Sequence, residues 1–232
     1  IFAGNINFKI FAFFNTESIF GFAENGTASA DFQFIFVFIN VVIINVLTDI
    51  SHKFFADSEA FLIKNNYVNG DDNVTADIHV ERSTHCQILN NYCIQPAQQG
   101  ICISHYNKAI GNYVETGNTT RAGYTLTLSG ILATSVNNTE IKDNTIIGRY
   151  SGGYGIYCSA NDYGIIARNK ICGDSNKLER GINCLNSTRL IIDDNIIQNQ
   201  LVNTYGISVT GTASVGTRIV NNIVGTCYTG AT

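Results

Sequence analysis

The sequence predicts an all-β solenoid, a parallel β-helix of about seven rungs, and two phase-locked signals carry that prediction. An asparagine returns as Asn66, Asn91, Asn112, Asn144, Asn169, Asn195 and Asn222, at intervals of 25, 21, 32, 25, 26 and 27 residues. A second signal follows in "DIHV", "GICI", "GYTL", "GIYC", "GINC" and "GISV", at a nearly constant distance from each marker. A period in the twenties without helical patterning calls for stacking, because a unit this small cannot bury its own apolar face.

Each piece of the rung has its own reason. Three residues before the marker stand Ile63, Ile88, Ala109, Ile141, Ile166, Ile192 and Ile219; two after it stand Val68, Cys93, Val114, Ile146, Ile171, Ile197 and Val224. Both sets read as core columns. Between them the marker turns a corner, where asparagine tolerates left-handed backbone and its amide can bond to the next asparagine in the stack. The alternation of Ile156 with Cys158, and of Ile182 with Cys184, is the period-2 signature of a short strand, and the preceding glycine marks a bend. Three such strands per rung, stacked ~4.8 Å apart, make the coil. The long interval from Asn112 to Asn144 places an insertion after the glycine-marked strand "GYTL".

Residues 1–60 behave differently from the repeat domain, 61–232. All fourteen phenylalanines lie between Phe2 and Phe61, and all eleven tyrosines and seven cysteines lie beyond. An aromatic cap over the open end of the apolar stack, or degenerate rungs around Asn45, is expected there. A net charge of −4 with 45% hydrophobic residues argues against disorder and against a basic nucleic-acid binder. The longest apolar run, 34–47, falls short of the roughly 20 residues needed to cross a bilayer, so no membrane insertion is expected. Methionine is absent even at position 1, which suggests a fragment or processed product.

The IxxNxI unit followed by GI, over about residues 61–226, resembles that of the right-handed parallel β-helix proteins of the pectate-lyase-like superfamily, which includes bacteriophage tailspikes and NosD-like repeat proteins. The resemblance implies a right-handed coil. It leaves activity open, because members include lyases, glycoside hydrolases, epimerases and binding proteins. Likeness to tailspikes further implies a homotrimer at an extracellular or virion surface, which would cover the outward aliphatic columns of Leu89, Ile110, Val220, Ile196 and Ile223; a loop of the same chain is the alternative cover.

Function in a stack lives on the outward columns. Tyr67, Tyr92 and Tyr113 follow their markers on consecutive rungs, an aromatic ladder on which sugar rings can pack. The richest chemistry is "TADIHVERSTH": with Ile78 and Val80 inward, Asp77, His79 and Glu81 should project outward, with Arg82 next and His105 on the following rung. Asp77, His79 and Glu81 are the candidate catalytic groups, and Arg82 and His105 candidate substrate contacts. The two carboxylates stand four strand residues apart, ~13 Å at the Cα atoms, wider than a retaining glycosidase pair requires. A lyase would instead use His79 or a tyrosine as base, with Arg82 neutralising a uronate carboxylate. Asp143, Arg168 and Asp194 read as charge pairing at a turn, and residues 174–180 as a polar loop.

These readings favour a carbohydrate-active β-helix that binds and cleaves a bacterial surface polysaccharide without a cofactor. The alternative is a non-catalytic adhesin or polysaccharide-binding shaft. A metal-associated protein would require His79, His85 and His105 to converge.

Overall fold

The computed structural model describes residues 62–70, 76–81, 83–96, 98–117, 128–149, 153–173, 178–198 and 200–225. It also describes the backbone of short strands at 18–20, 32–35, 42–44, 47–48 and 52–55; Glu81 and 200–204 are likewise described by backbone alone. Three parallel sheets wind into a right-handed coil. The first contains Leu62–Lys64, Gln87–Leu89, Lys108–Ile110, Glu140–Lys142, Ile165–Ala167, Ile191–Asp193 and Arg218–Val220. The second follows each of these across a two-residue corner, from Tyr67–Asn69 to Ile223–Val224. The third holds the longer strands Ala76–Glu81, Gln99–Ile103, Ser129–Thr134, Gly153–Ser159, Leu178–Leu185 and Gln200–Thr210.

Five marker rungs, those of Asn91, Asn112, Asn144, Asn169 and Asn195, have another marker rung on both sides. The repeat therefore amounts to about five turns between two end rungs, where counting markers gave about seven. Backbone strands at Val42–Ile44, Leu47–Thr48 and His52–Phe55 pair onto the first rung, with Ile44 opposite Ile63, Leu47 opposite Tyr67 and His52 opposite Ile78. Ser18–Phe20 and Phe32–Ile35 pair in turn onto Val42–Ile44 and His52–Phe55, and the other residues of the expected phenylalanine-rich cap lie outside the described residues.

The core is the set of inward columns. Ile63, Ile88, Ala109, Ile141, Ile166 and Ile192 stack in the first sheet, and Val68, Cys93, Val114, Ile146, Ile171 and Ile197 in the second, all shut off from solvent. Ile78, Ile101, Ile131, Ile156 and Ile182 do the same in the third. Each such aliphatic side chain contributes about 1.5–3 kcal/mol by leaving water. Cys158 and Cys184 face each other on neighbouring rungs of this sheet as buried free thiols. A hydrogen bond with Cys158, then burial, pushes the Cys184 thiol well up.

The marker asparagines form an unbroken ladder, buried from Asn66 to Asn195. Asn66 Nδ2 donates to Asn91 Oδ1 at 2.8 Å, and the same bond recurs through Asn112, Asn144, Asn169 and Asn195 to Asn222. The backbone N–H of each donor asparagine goes to the same acceptor oxygen. From Asn91 onward each amide also donates back to the carbonyl of an earlier core residue, such as Asn144 Nδ2 to Ala109 O at 2.9 Å. The left-handed backbone expected at the marker belongs instead to the residue before it: Asn65, Asn90, Gly111, Asp143, Arg168, Asp194 and Asn221 all have positive φ. That leaves the marker side chain free to point inward and bond.

Two register findings correct the sequence reading. Gln99 pairs with Ser129 and Ile101 with Ile131, so the glycine-marked strand of the Asn112 rung is "GILA", not "GYTL". The insertion therefore precedes this strand, in 118–127, which lie outside the described residues along with Thr125 and Thr127. Gly130 is required there, since a Cβ would stand 2.5 Å from Ile146 Cγ2. The same clash, at 2.5 Å from Ile171 and 2.3 Å from Ile197, holds Gly155 and Gly181 in this column.

Candidate functional site

The third sheet offers the widest outward surface because its strands are the longest. Two columns run up it. Ala76, Gln99, Ser129, Tyr154, Arg180 and Tyr205 occupy the position before the glycine column; His79, Cys102, Leu132, Tyr157, Asn183 and Ser208 occupy the second position after it. Ala76, Gln99 and Ser129 at the N-terminal end of the first column are buried, whereas Tyr154, Arg180 and Tyr205 at its C-terminal end reach solvent.

Four of these side chains meet on adjacent rungs. The Tyr154 and Tyr157 rings stack at 5.4 Å, and the Arg180 guanidinium lies 5.6 Å from the Tyr154 ring centre. Arg180 Nη1 donates to Asn183 Oδ1 at 3.0 Å, and its Nη2 is 3.7 Å from Glu179 Oε1. The Tyr154 hydroxyl donates to the same Glu179 oxygen at 3.5 Å. Burial, then the Glu179 charge, raises the Tyr154 phenol, so it is a proton donor near neutral pH and not a base. The cluster thus presents two half-buried aromatic rings, a cation and one carboxylate, with the buried Asn183 amide holding the cation from behind. That inventory suits a hydroxylated ligand, with rings for apolar sugar faces and fixed donors and acceptors for its hydroxyls.

Sequence reasoning missed this cluster and placed Glu179 and Arg180 in a polar loop; the structure corrects that, since Leu178–Leu185 is one strand. The available signal was the position just before each glycine, where Tyr154, Arg180 and Tyr205 follow one another.

The expected catalytic trio separates. Asp77 does not project outward: it is wholly buried. Its strand pairs Ala76 with Gln99 and Ile78 with Ile101, which puts Asp77 in the glycine column opposite Gly100. At that corner a side chain turns toward the second sheet, and Asp77 lies near Cys93, whose thiol is pushed well up by burial and then by the Asp77 charge. Burial thus withdraws Asp77 from the surface on which a carboxylate pair with Glu81 would operate. His79 is half-buried on the outward face, in the same column as Tyr157 and Asn183. The Glu81 side chain and Arg82 lie outside the described residues.

The tyrosine ladder forms as a stack of rings. Tyr67 and Tyr92 are 5.4 Å apart and Tyr92 and Tyr113 4.3 Å apart, each pair within 10° of parallel, with Tyr67 and Tyr92 39% and 40% exposed. Both faces of Tyr92 are therefore occupied by its neighbours, and the ladder presents ring edges and hydroxyls to solvent. Burial first, then Tyr92 and Glu115, push the Tyr113 phenol up to about 12.

The histidines disperse. His105 Nδ1 accepts from the Asn137 N–H at 3.2 Å, and His85 stacks on Tyr106 at 5.2 Å. Among the described residues, no three His, Cys, Asp or Glu side chains are placed to hold a metal ion. Arg168 forks onto both oxygens of Asp143 at 2.8 Å and holds that carboxyl below its usual range, as expected for charge pairing at a turn. No helix among the described residues is long and apolar enough to cross a membrane.

Among solved structures, similarity is found to the A-module of a mannuronan C-5 epimerase from Azotobacter vinelandii. It has 13% identity and a TM-score of 0.35, covering 79% of this chain and 64% of that one, less than two thirds of the module. A surface protein and adhesin of Streptococcus pneumoniae is similar at 10% identity and a TM-score of 0.42, covering 90% of this chain and 79% of that one. No curated protein matches. The model of the family described as "Right handed beta helix region" matches residues 53–229, most of the chain, and with the coil seen here this chain belongs to that family.

Proposed function

We propose that this chain binds an extended bacterial surface polysaccharide along its flank, with the outer face of the third sheet as the principal contact. The observation that carries the reading is the Tyr154, Tyr157, Glu179, Arg180 and Asn183 cluster on two adjacent rungs. Tyr67, Tyr92 and Tyr113 would add hydroxyl contacts on the neighbouring sheet. Such a surface supports binding more directly than cleavage, because the described cluster supplies one carboxylate and no second acid or base beside it. A tailspike-like depolymerase remains the second reading, favoured by His79 at the head of the Tyr157 column, where it would serve as base. Exposed Ile191, Ile196 and Ile223 support a homotrimer, and an extracellular or virion surface fits such a ligand.

The test is binding of the purified protein to bacterial capsular and O-antigen polysaccharides, while following reducing ends and the ultraviolet absorbance of unsaturated uronates. Tyr154→Ala and Arg180→Ala should each weaken binding at least about tenfold. Binding unchanged in both variants would remove this face from the function. Release of reducing ends, abolished by His79→Ala, would establish the depolymerase reading.

A further inference from the structure

Another column of left-handed backbone runs along the corner between the third and first sheets: His85, Tyr106, Asn138, Tyr163, Arg189 and Gly216, with φ between 53° and 69°. The corner imposes this conformation rung after rung whatever residue stands there, tyrosine, histidine and arginine included. Every member from His85 to Arg189 is exposed, Tyr106 at 43% and Tyr163 at 51%.

The column is occupied unevenly. His85 covers one face of Tyr106, one rung away, with centroids 5.2 Å apart. Arg189 covers one face of Tyr163, its guanidinium carbon 4.7 Å from the ring centre, and also donates to the Tyr163 hydroxyl. The remaining faces of the two tyrosines look toward each other across the rung of Asn138. Backbone bonds from Tyr106 N to Asn137 O, from Asn138 N to Asp162 O and from Tyr163 N to Thr188 O hold the rungs in order. Two rungs separate the rings by about 10 Å, so a ring placed midway stands ~4.8 Å from each, a stacking distance.

We propose that this slot, walled by Tyr106 and Tyr163 and floored by Asn138, takes one sugar ring of a glycan, at a site separate from the third-sheet face. The floor is polar, its amide able both to donate and to accept; a hydroxylated ring satisfies that amide, where an aromatic side chain would not.

Saturation-transfer NMR with maltohexaose, chitohexaose and an alginate hexasaccharide tests the proposal, with a tryptophan-containing peptide as the aromatic competitor. At least one hexasaccharide should bind. Asn138→Tyr should then weaken that binding at least about tenfold by filling the slot with a third ring, while the melting temperature holds or rises. Tyr106→Ala and Tyr163→Ala should weaken it similarly, whereas Arg168→Ala, at the marker corner, should leave it intact. The proposal is overturned if no hexasaccharide binds, if only the peptide does, or if Asn138→Tyr binds like the wild type. Loss in Tyr154→Ala alone would also overturn the slot, and would leave the third-sheet proposal standing.

Discussion

At the scale of single residues, Asp77 and Cys93 are the instructive pair. In later rungs the glycine column faces a Val or Ile: Gly100 faces Val114, Gly155 faces Ile171 and Gly181 faces Ile197. In the Asp77 rung both members change together, a larger side chain replacing glycine and a smaller one standing where isoleucine or valine stands elsewhere. Volume exchanged across one contact is tolerated far better than volume added to it. Cys93→Ile alone should therefore destabilise the chain by about 1–3 kcal/mol. The double variant Asp77→Gly, Cys93→Ile reproduces the pairing of the other rungs and should recover most of the loss. A denaturation cycle in which the two changes simply add would show that the residues are not coupled. The Cys93 thiol, raised by its surroundings, should also resist alkylation in the folded protein.

At the scale of the element, the asparagine ladder works as one object. Removing the Asn144 side chain leaves the Asn112 amide and backbone N–H without their acceptor and takes the amide donor from the Ala109 carbonyl, while Asn169 Oδ1 keeps only the Asn144 backbone N–H. Asn144→Ala should therefore cost about 3 kcal/mol, read as a drop in urea midpoint, more than truncating an exposed residue would. A cost below about 1 kcal/mol would mean that water replaces the amide. The ladder and core columns were legible in the sequence because each rung repeats one environment, so the same residue type recurs in phase. The third-sheet cluster was not, since its column reads Ala76, Gln99, Ser129, Tyr154, Arg180, Tyr205 and repeats nothing. Asp77 was misplaced for a related reason: strict alternation fails at the bend that the glycines mark, so an expected outward position turns inward. The corner slot also escaped, because left-handed backbone at Tyr106 and Tyr163 has no signature in residue type.

At the scale of the whole molecule, contacts run between neighbouring rungs, so stability is close to a sum of rung and interface terms. Excising residues 91–111 in the Asp77→Gly background joins Asn90 to Asn112 and removes one period, sets a glycine opposite Val114 and presents Asn66 with an asparagine partner again. The shortened chain should fold, with a β-rich circular dichroism spectrum and a shallower urea dependence, and should retain polysaccharide binding at Tyr154 and Arg180. An unfolded product would show that particular neighbours matter and that a rung is not interchangeable. The asparagine ladder explains why interchange is expected: every amide bonds to an identical amide, so the bond carries no record of which rung it joins. The coil is in this sense a ruler graduated in asparagines, each worth ~4.8 Å. Its reach along a partner can be lengthened or shortened by whole-period recombination of the coding sequence, with no surface to be redesigned at the seam.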